Sequence, residues 1–314
     1  MSAATPLPVT TLKIPNPFVE GRNRVYVIHS DPVTLIDAGI ATEKARGELQ
    51  KGLQEAGVAI ESIGRIILTH KHVDHIGSAW WLQQESGAEI FIHEIETHAV
   101  SDVDPEGHRW RKMVRGRFDR WAVPEDARPR DQREFYAWDL RAATPTTIQH
   151  GQAINLNGVE LQVLHTPGHT KGSVCLRMDG VLFSGDHVLP DVSPNIGGGD
   201  LRHEGLLTDY MKSLQDCVDL APEIETVLPG HGDAFPKLAE RCQDLLDHHK
   251  ERLDKVLQIL RSGGPQTTYA VAEQLFGKLR KMHLVLGCAE AQSHLDHLVN
   301  TGQLTVQSET YAVV

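Results

Sequence analysis

Five histidines and two aspartates stand out by type and spacing. They are His70, His72, Asp74 and His75 in Thr69-His-Lys-His-Val-Asp-His-Ile-Gly77, His169 in Thr166-Pro-Gly-His-Thr170, Asp186 in Ser184-Gly-Asp-His187, and His231 in Pro229-Gly-His-Gly232. Imidazole nitrogens and carboxylate oxygens together form a donor set suited to zinc and similar borderline metals. In a loop reading HxHxDH, alternate side chains can turn inward, so His70 and His72 can share one ion while Asp74 and His75 face a neighbouring one. The spacing predicts two metal sites. Two ions about 3.5–4 Å apart can hold a bridging water, lower its pKa toward about 7 and polarise an attacked carbonyl or phosphoryl oxygen. The chemistry expected is hydrolysis by metal-bound hydroxide, with no serine or cysteine nucleophile required. Asp74 is the candidate catalytic residue, placed to take a proton from the water or pass it to the leaving group.

These groups sit at the ends of predicted strands. Short β-rich runs at 25–28 and 33–36 form a hairpin ending at Asp37-Ala-Gly39. Residues 42–56 place Ala45, Leu49, Leu53 and Ala56 on one helical face, with Thr42 as N-cap and Gly57 past the end. A strand at 65–69 runs into the histidine cluster, and a helix (78–86) and a strand (89–92) follow. Strands near 159–164, 173–178, 181–183 and 226–228, with a helix at 206–220, complete an α/β layered pattern. Residues 97–150, more charged and aromatic, read as an insertion in a catalytic domain spanning 1–244. A helix over 237–261 and the breaker cluster Ser262-Gly-Gly-Pro265 place a small C-terminal module at 245–314.

The net charge of −11 argues against an overall basic field that would attract nucleic acid or an anionic membrane. No apolar run approaches eighteen residues, and the first residues lack a basic and apolar leader pattern, so the expectation is a cytoplasmic chain with no membrane partner. The four cysteines, Cys175, Cys217, Cys242 and Cys288, fit no CxxC pattern and read as buried, reduced thiols.

The histidine and aspartate motifs, in this order along the chain, resemble those of the metallo-β-lactamase superfamily over roughly residues 10–235. The resemblance implies a four-layer αβ/βα sandwich with two divalent metals at the edge of its two sheets, zinc first, iron or manganese as alternatives. One ion would take His70, His72 and His169, the other Asp74, His75 and His231, with Asp186 bridging. The β-lactam-hydrolysing members commonly have cysteine where this chain has Asp186, whereas glyoxalase-type thioester hydrolases share THxHxDH and the bridging aspartate. A thioester or ester of hydroxyacylglutathione or acyl-CoA type is therefore the first substrate class. The alternatives are an RNA phosphodiesterase of lactamase-beta-2-like type and a lactonase. Asp37 resembles a non-ligand position near the site and is a candidate orienter of a ligand; His187 is a candidate pocket residue.

Residues 108–141 carry ten Lys/Arg against six acids inside this acidic chain. Trp110, Val114, Phe118 and Trp121 form a stripe at helical spacing, and Arg111 and Arg115 lie one turn apart beside it. The expectation is a docked helix whose arginines remain free to pair with an anionic small-molecule substrate. The tail resembles the winged-helix-like module of lactamase-beta-2-like members, which opens a nucleic-acid-binding reading. Residues 250–314 hold seven Lys/Arg against six acids, and Cys288 to Val299, the candidate recognition helix, has no Lys or Arg. Packing or homodimerisation is the expected role of the tail, and duplex DNA is not an expected partner.

Overall fold

The computed structural model describes residues 7–18, 21–104, 107–129 and 140–314. The chain opens with β1 (Val9–Ile14), β2 (Asn23–Ile28), β3 (Val33–Ile36), α1 (Glu43–Glu55), β4 (Ile63–Ile67), α2 (Val73–Ile76), α3 (Ala79–Ser86) and β5 (Glu89–His93). It continues through α4 (His98–Ser101), α5 (His108–Arg120) and β6 (Pro145–Ile148). The strands β7 (Ala153–Leu156), β8 (Val159–His165), β9 (Val174–Met178) and β10 (Val181–Gly185) follow, then α6 (Leu206–Leu220) and β11 (Thr226–Pro229). The C-terminal region contains α7 (Leu238–Gly263), β12 (Gln266–Thr267), α8 (Thr268–Phe276), α9 (Met282–Asn300), β13 (Leu304–Gln307) and β14 (Thr310–Val313).

One sheet has the order β1-β2-β3-β4-β5-β6 and the other β11-β10-β9-β8-β7. Side chains alternate across each strand, so every strand feeds two layers. Tyr26, Ile28, Ile36 and Ile67 of the first sheet meet Leu161, Val163, Leu176 and Phe183 of the second in a central apolar layer. The opposite face of the first sheet, with Val25, Val27 and Ile66, packs on Leu49 and Leu53 of α1 and Leu82 of α3. The outer face of the second, with Cys175, Leu182 and Val227, packs on α6, α7 and α9. The result is the expected helix-sheet-sheet-helix sandwich. Thr42 caps α1 by accepting from Ala45 N–H at 3.1 Å, a contact that typically contributes about 1 kcal/mol.

Two boundaries differ from the sequence expectation. The strand expected at 65–69 is Ile63–Ile67, because the Thr69 N–H leaves the ladder and donates to Asp37. The expected insertion at 97–150 contains β6, which pairs parallel with β5 and forms the edge of the first sheet. Pro145 and two threonines mask the apolar signal that would have identified this strand.

The division expected at residue 245 falls inside α7, and one apolar cluster continues across it: Leu206 and Tyr210 share it with Leu253, Val271, Cys288 and Leu295. The stripe on α5 joins the same cluster through Val114, Phe118 and Trp121, and Trp121 accepts from Tyr269 N–H through its main-chain carbonyl at 3.0 Å. All four cysteines are buried and unbridged, with Cys217 between Cys175 and Cys242.

Candidate metal centre

The two sheets are joined by main-chain bonds at one edge. Arg24 N–H donates to the Gly230 carbonyl at 2.8 Å and Val174 N–H to that of Thr69 at 2.9 Å, while Gly230 N–H donates to Gly185 at 2.7 Å within the second sheet. The loops after β4, β8, β10 and β11 therefore converge, and all seven motif side chains meet there. His70 Nε2 and His169 Nε2 lie 3.1 and 2.9 Å from His72 Nδ1. His75 Nε2 and His231 Nε2 lie 3.7 and 3.3 Å from Asp74 Oδ2. Asp186 stands between the two groups: Oδ2 is 3.9 Å from His70, 3.6 Å from His169 and 3.5 Å from His231, and Oδ1 is 3.5 Å from His75. Ligand atoms around a tetrahedral zinc with bonds near 2.0–2.1 Å lie about 3.3 Å apart, so both groups have the scale of a metal site.

Electrostatics give five of these seven donors their ligand-ready forms. Burial and neighbouring imidazoles hold His70 well below its ordinary range and His72 at about 3, and burial also lowers His169; all three are neutral. Burial opposes ionisation of Asp74 and Asp186, but the surrounding His75 and His231 outweigh it and hold both carboxylates well down. For His75 and His231 burial acts downward and the carboxylates win. His75 rises well above its usual value and His231 to about 10. The buried Asp186 Oδ1 has no hydrogen-bond partner among the described residues. Clustered neutral imidazoles, ionised carboxylates and an unpartnered buried oxygen fit a pair of divalent cations.

Further residues hold these donors in place. Asp37, at a positive φ of 63°, accepts from Thr69 N–H at 2.8 Å and from His75 Nδ1–H at 2.8 Å, which turns His75 Nε2 toward the site. Asn23 donates to Asp74 Oδ2 at 3.0 Å and Asn16 to Asn23 Oδ1 at 2.5 Å. His169 Nδ1–H donates to the Asn195 carbonyl at 2.9 Å. Lys71, between the first two histidines, pairs with the buried Asp200 at 2.5 Å. Sequence reading missed Asn16, Asn23 and Asp200, since none lies in a metal motif. The linear signal nearest to them is the glycine run ending at Asp200.

The substrate-side candidates fare differently. His187 is 1% exposed and packs edge-on against Tyr210 at 5.2 Å, with burial holding it at about 3. It is enclosed and not on an open face. The expectation of free arginines over 108–141 fails: Arg111 is engaged, Arg141 lies over the Trp80 ring at 4.8 Å, and four more are paired. Arg109 pairs with Asp102, Arg117 donates to Leu201 O at 3.0 Å, Arg120 pairs with Glu204 at 2.9 Å and Arg128 with Asp119 at 2.7 Å. Arg109, Arg117 and Arg120 reach acceptors on neighbouring loops and Arg128 reaches back to α5, an arrangement helical spacing alone does not disclose. Arg115 is exposed and Arg111 half-buried on α5. Arg130 and Arg133 lie outside the described residues.

A family model described as the metallo-beta-lactamase superfamily matches residues 19–231. The chain belongs to that superfamily. A probable metallo-hydrolase, YqjP of Bacillus subtilis, is 30% identical over 92% of both chains. The human acyl-coenzyme A thioesterase MBLAC2 is 30% identical over 69% of this chain and 76% of its own. The crystal structure of the metallo-beta-lactamase family protein TTHA1429 from Thermus thermophilus superposes with a TM-score of 0.82 at 28% identity, covering 98% of each chain. This superfamily member is a metallo-hydrolase, and the likeness to the Bacillus and Thermus proteins extends through its C-terminal helices.

Proposed function

We propose that this superfamily member hydrolyses an acyl thioester or ester, with two divalent ions held by His70, His72 and His169 and by Asp74, His75 and His231, bridged by Asp186. The observation that carries this reading is the convergence of seven donors in two groups around one shared carboxylate. When bound, the ions supply an activated water and polarise the acyl oxygen. Asn23 fixes the carboxylate of Asp74, the residue proposed to accept a proton from the attacking water. Asp37 and the Asn195 carbonyl fix the rings of His75 and His169.

The leaving group decides among acyl substrates. A thiol of pKa about 8.5 departs readily as thiolate near neutral pH, whereas an amine must be protonated as it leaves. A thioester therefore makes no demand for a general acid at the site, and an amide does. The thioesterase relative supports the same class. Burial raises Cys175 and Cys288, and at Cys217 a hydrogen bond from Cys175 acts downward but the one with Cys242, together with burial, outweighs it, so these thiols stay protonated and inert.

Zinc-loaded protein should therefore hydrolyse acyl-CoA or hydroxyacylglutathione, with free thiol and acid identified by mass spectrometry. Asp186→Ala and His169→Ala should each lower turnover by about 100-fold or more while the chain stays folded. Full turnover after metal stripping would overturn the reading. Cleavage of single-stranded RNA without thioester hydrolysis would replace it with the phosphodiesterase alternative.

A further inference from the structure

The C-terminal helices reach the metal centre through one loop. Residues 189–199 follow the bridging aspartate, and their outer side is held by α7 and α9. Arg241 of α7 donates to the carbonyls of Leu189 and Val192 at 2.6 and 2.8 Å. Glu290 of α9 accepts from Asn195 Nδ2 at 3.0 Å and from Ile196 N–H at 2.7 Å, while its other oxygen takes Arg252 of α7 at 2.6 Å. Ser293 donates to Ile196 O at 3.2 Å. The inner side of the same loop touches two of the proposed ligands. The Asn195 carbonyl accepts from His169 Nδ1–H at 2.9 Å, and Gly199 lies directly against His72.

His249, Glu290 and His294 also form a group with metal-ligating chemistry. Each has its needs met without an ion. His294 donates to the Glu290 carbonyl at 2.7 Å, its free Nε2 faces His249 Nδ1 at 3.2 Å, and both Glu290 oxygens are engaged by donors. Glu290 is committed to the loop and to Arg252.

We propose that Glu290, paired with Arg252, is a positioning residue of the metal centre: by clamping Asn195 it sets the carbonyl that fixes the tautomer and orientation of His169. The tail is then part of the wall of the site. A charge-assisted clamp suits this task, since a carboxylate accepting from a guanidinium, an amide and a main-chain N–H resists displacement in three directions. A histidine whose Nδ1–H is held by a carbonyl presents Nε2 as a lone pair toward a metal, and loss of such outer partners weakens metal binding.

The proposal rests on the dinuclear reading, and cobalt(II) titration of the full, metal-stripped chain tests the two separately. Wild type should bind two ions, and His169→Ala identifies the ion that depends on this ligand. Glu290→Ala should weaken that ion by about 10–100-fold, change its cobalt absorption bands and leave the other ion within about threefold. Asn195→Ala, at a half-exposed position, should do the same if the glutamate variant fails to fold. Leu304→Ala, buried in the tail away from the loop, should lower the melting temperature without altering either affinity. With both variants folded, the double variant should be no worse than the poorer single, because the two residues act in series. Unchanged affinity in the folded variants, equal weakening of both ions, or additive losses would overturn the proposal. Fewer than two ions in wild type would overturn the dinuclear reading as well.

Discussion

His75 and His231 are protonated at neutral pH in the metal-free chain, whereas His70, His72 and His169 are neutral. Burial acts downward at both, and the negative charge of Asp186 and Asp74, with Asp37 added at His75, outweighs it. A metal entering the Asp74, His75 and His231 group must displace protons, so its apparent affinity should rise with pH, by up to about tenfold per pH unit for each proton released. The ion at His70, His72 and His169 should depend on pH much less. Calorimetric titrations between pH 6 and 9 in buffers of different ionisation enthalpy would show the split as proton release confined to one ion. The sign for the metal-free fold is opposite. Protonated His231 stabilises it fully below about 6.5, and that stabilisation is lost as pH rises through about 10.

Between residue and fold, two glycines argue for different roles. Gly199 ends the loop that α9 holds, and a methyl group there would overlap His72 Nε2. Gly199→Ala should push the His72 ring off its position and weaken the ion it shares with His169 by about 10–100-fold, measured by the same cobalt titration. Gly116 sits exposed inside α5, where an added methyl meets nothing within 4 Å. Gly116→Ala should raise stability by about 0.5–1 kcal/mol without changing metal binding, read from denaturant unfolding. The glycine run 197–199 therefore serves close packing: at Gly197 a side chain would meet Ser293 Oγ at 2.5 Å, and at Gly199 it would meet His72.

On the scale of the whole molecule, α5 is pinned by its aromatic face to the cluster shared by α6 and the tail, and by Arg117 and Arg120 to residues 201–204. If Arg111 and Arg115 pair with a remote anionic group, Arg111→Ala with Arg115→Ala should raise KM for an acyl-CoA about three- to tenfold at unchanged kcat. A small neutral ester should be hydrolysed as before, and equal effects on both substrates would show α5 to be purely structural. The tail's candidate recognition helix is α9, and Leu284, Val285, Cys288, Ala291, Leu295 and Leu298 on it are buried. Between Cys288 and Val299 this helix carries no Lys or Arg. The linear sequence determined the donor set, the two-site spacing, the helix faces and the layered α/β class, because ligand chemistry and amphipathic periodicity are written in short, local patterns. The sequence offered Asp37 as an orienter, and tertiary structure decided that His75 is the ring it holds; tertiary structure alone brought Asn23 to Asp74 and the Asn195 carbonyl, with Glu290 on the Asn195 side chain, to His169. Orientation needs only a polar atom at the right place, and every residue carries a main-chain carbonyl. Glu290 lies 95 residues from Asn195 in the chain, so only folding could bring that clamp together.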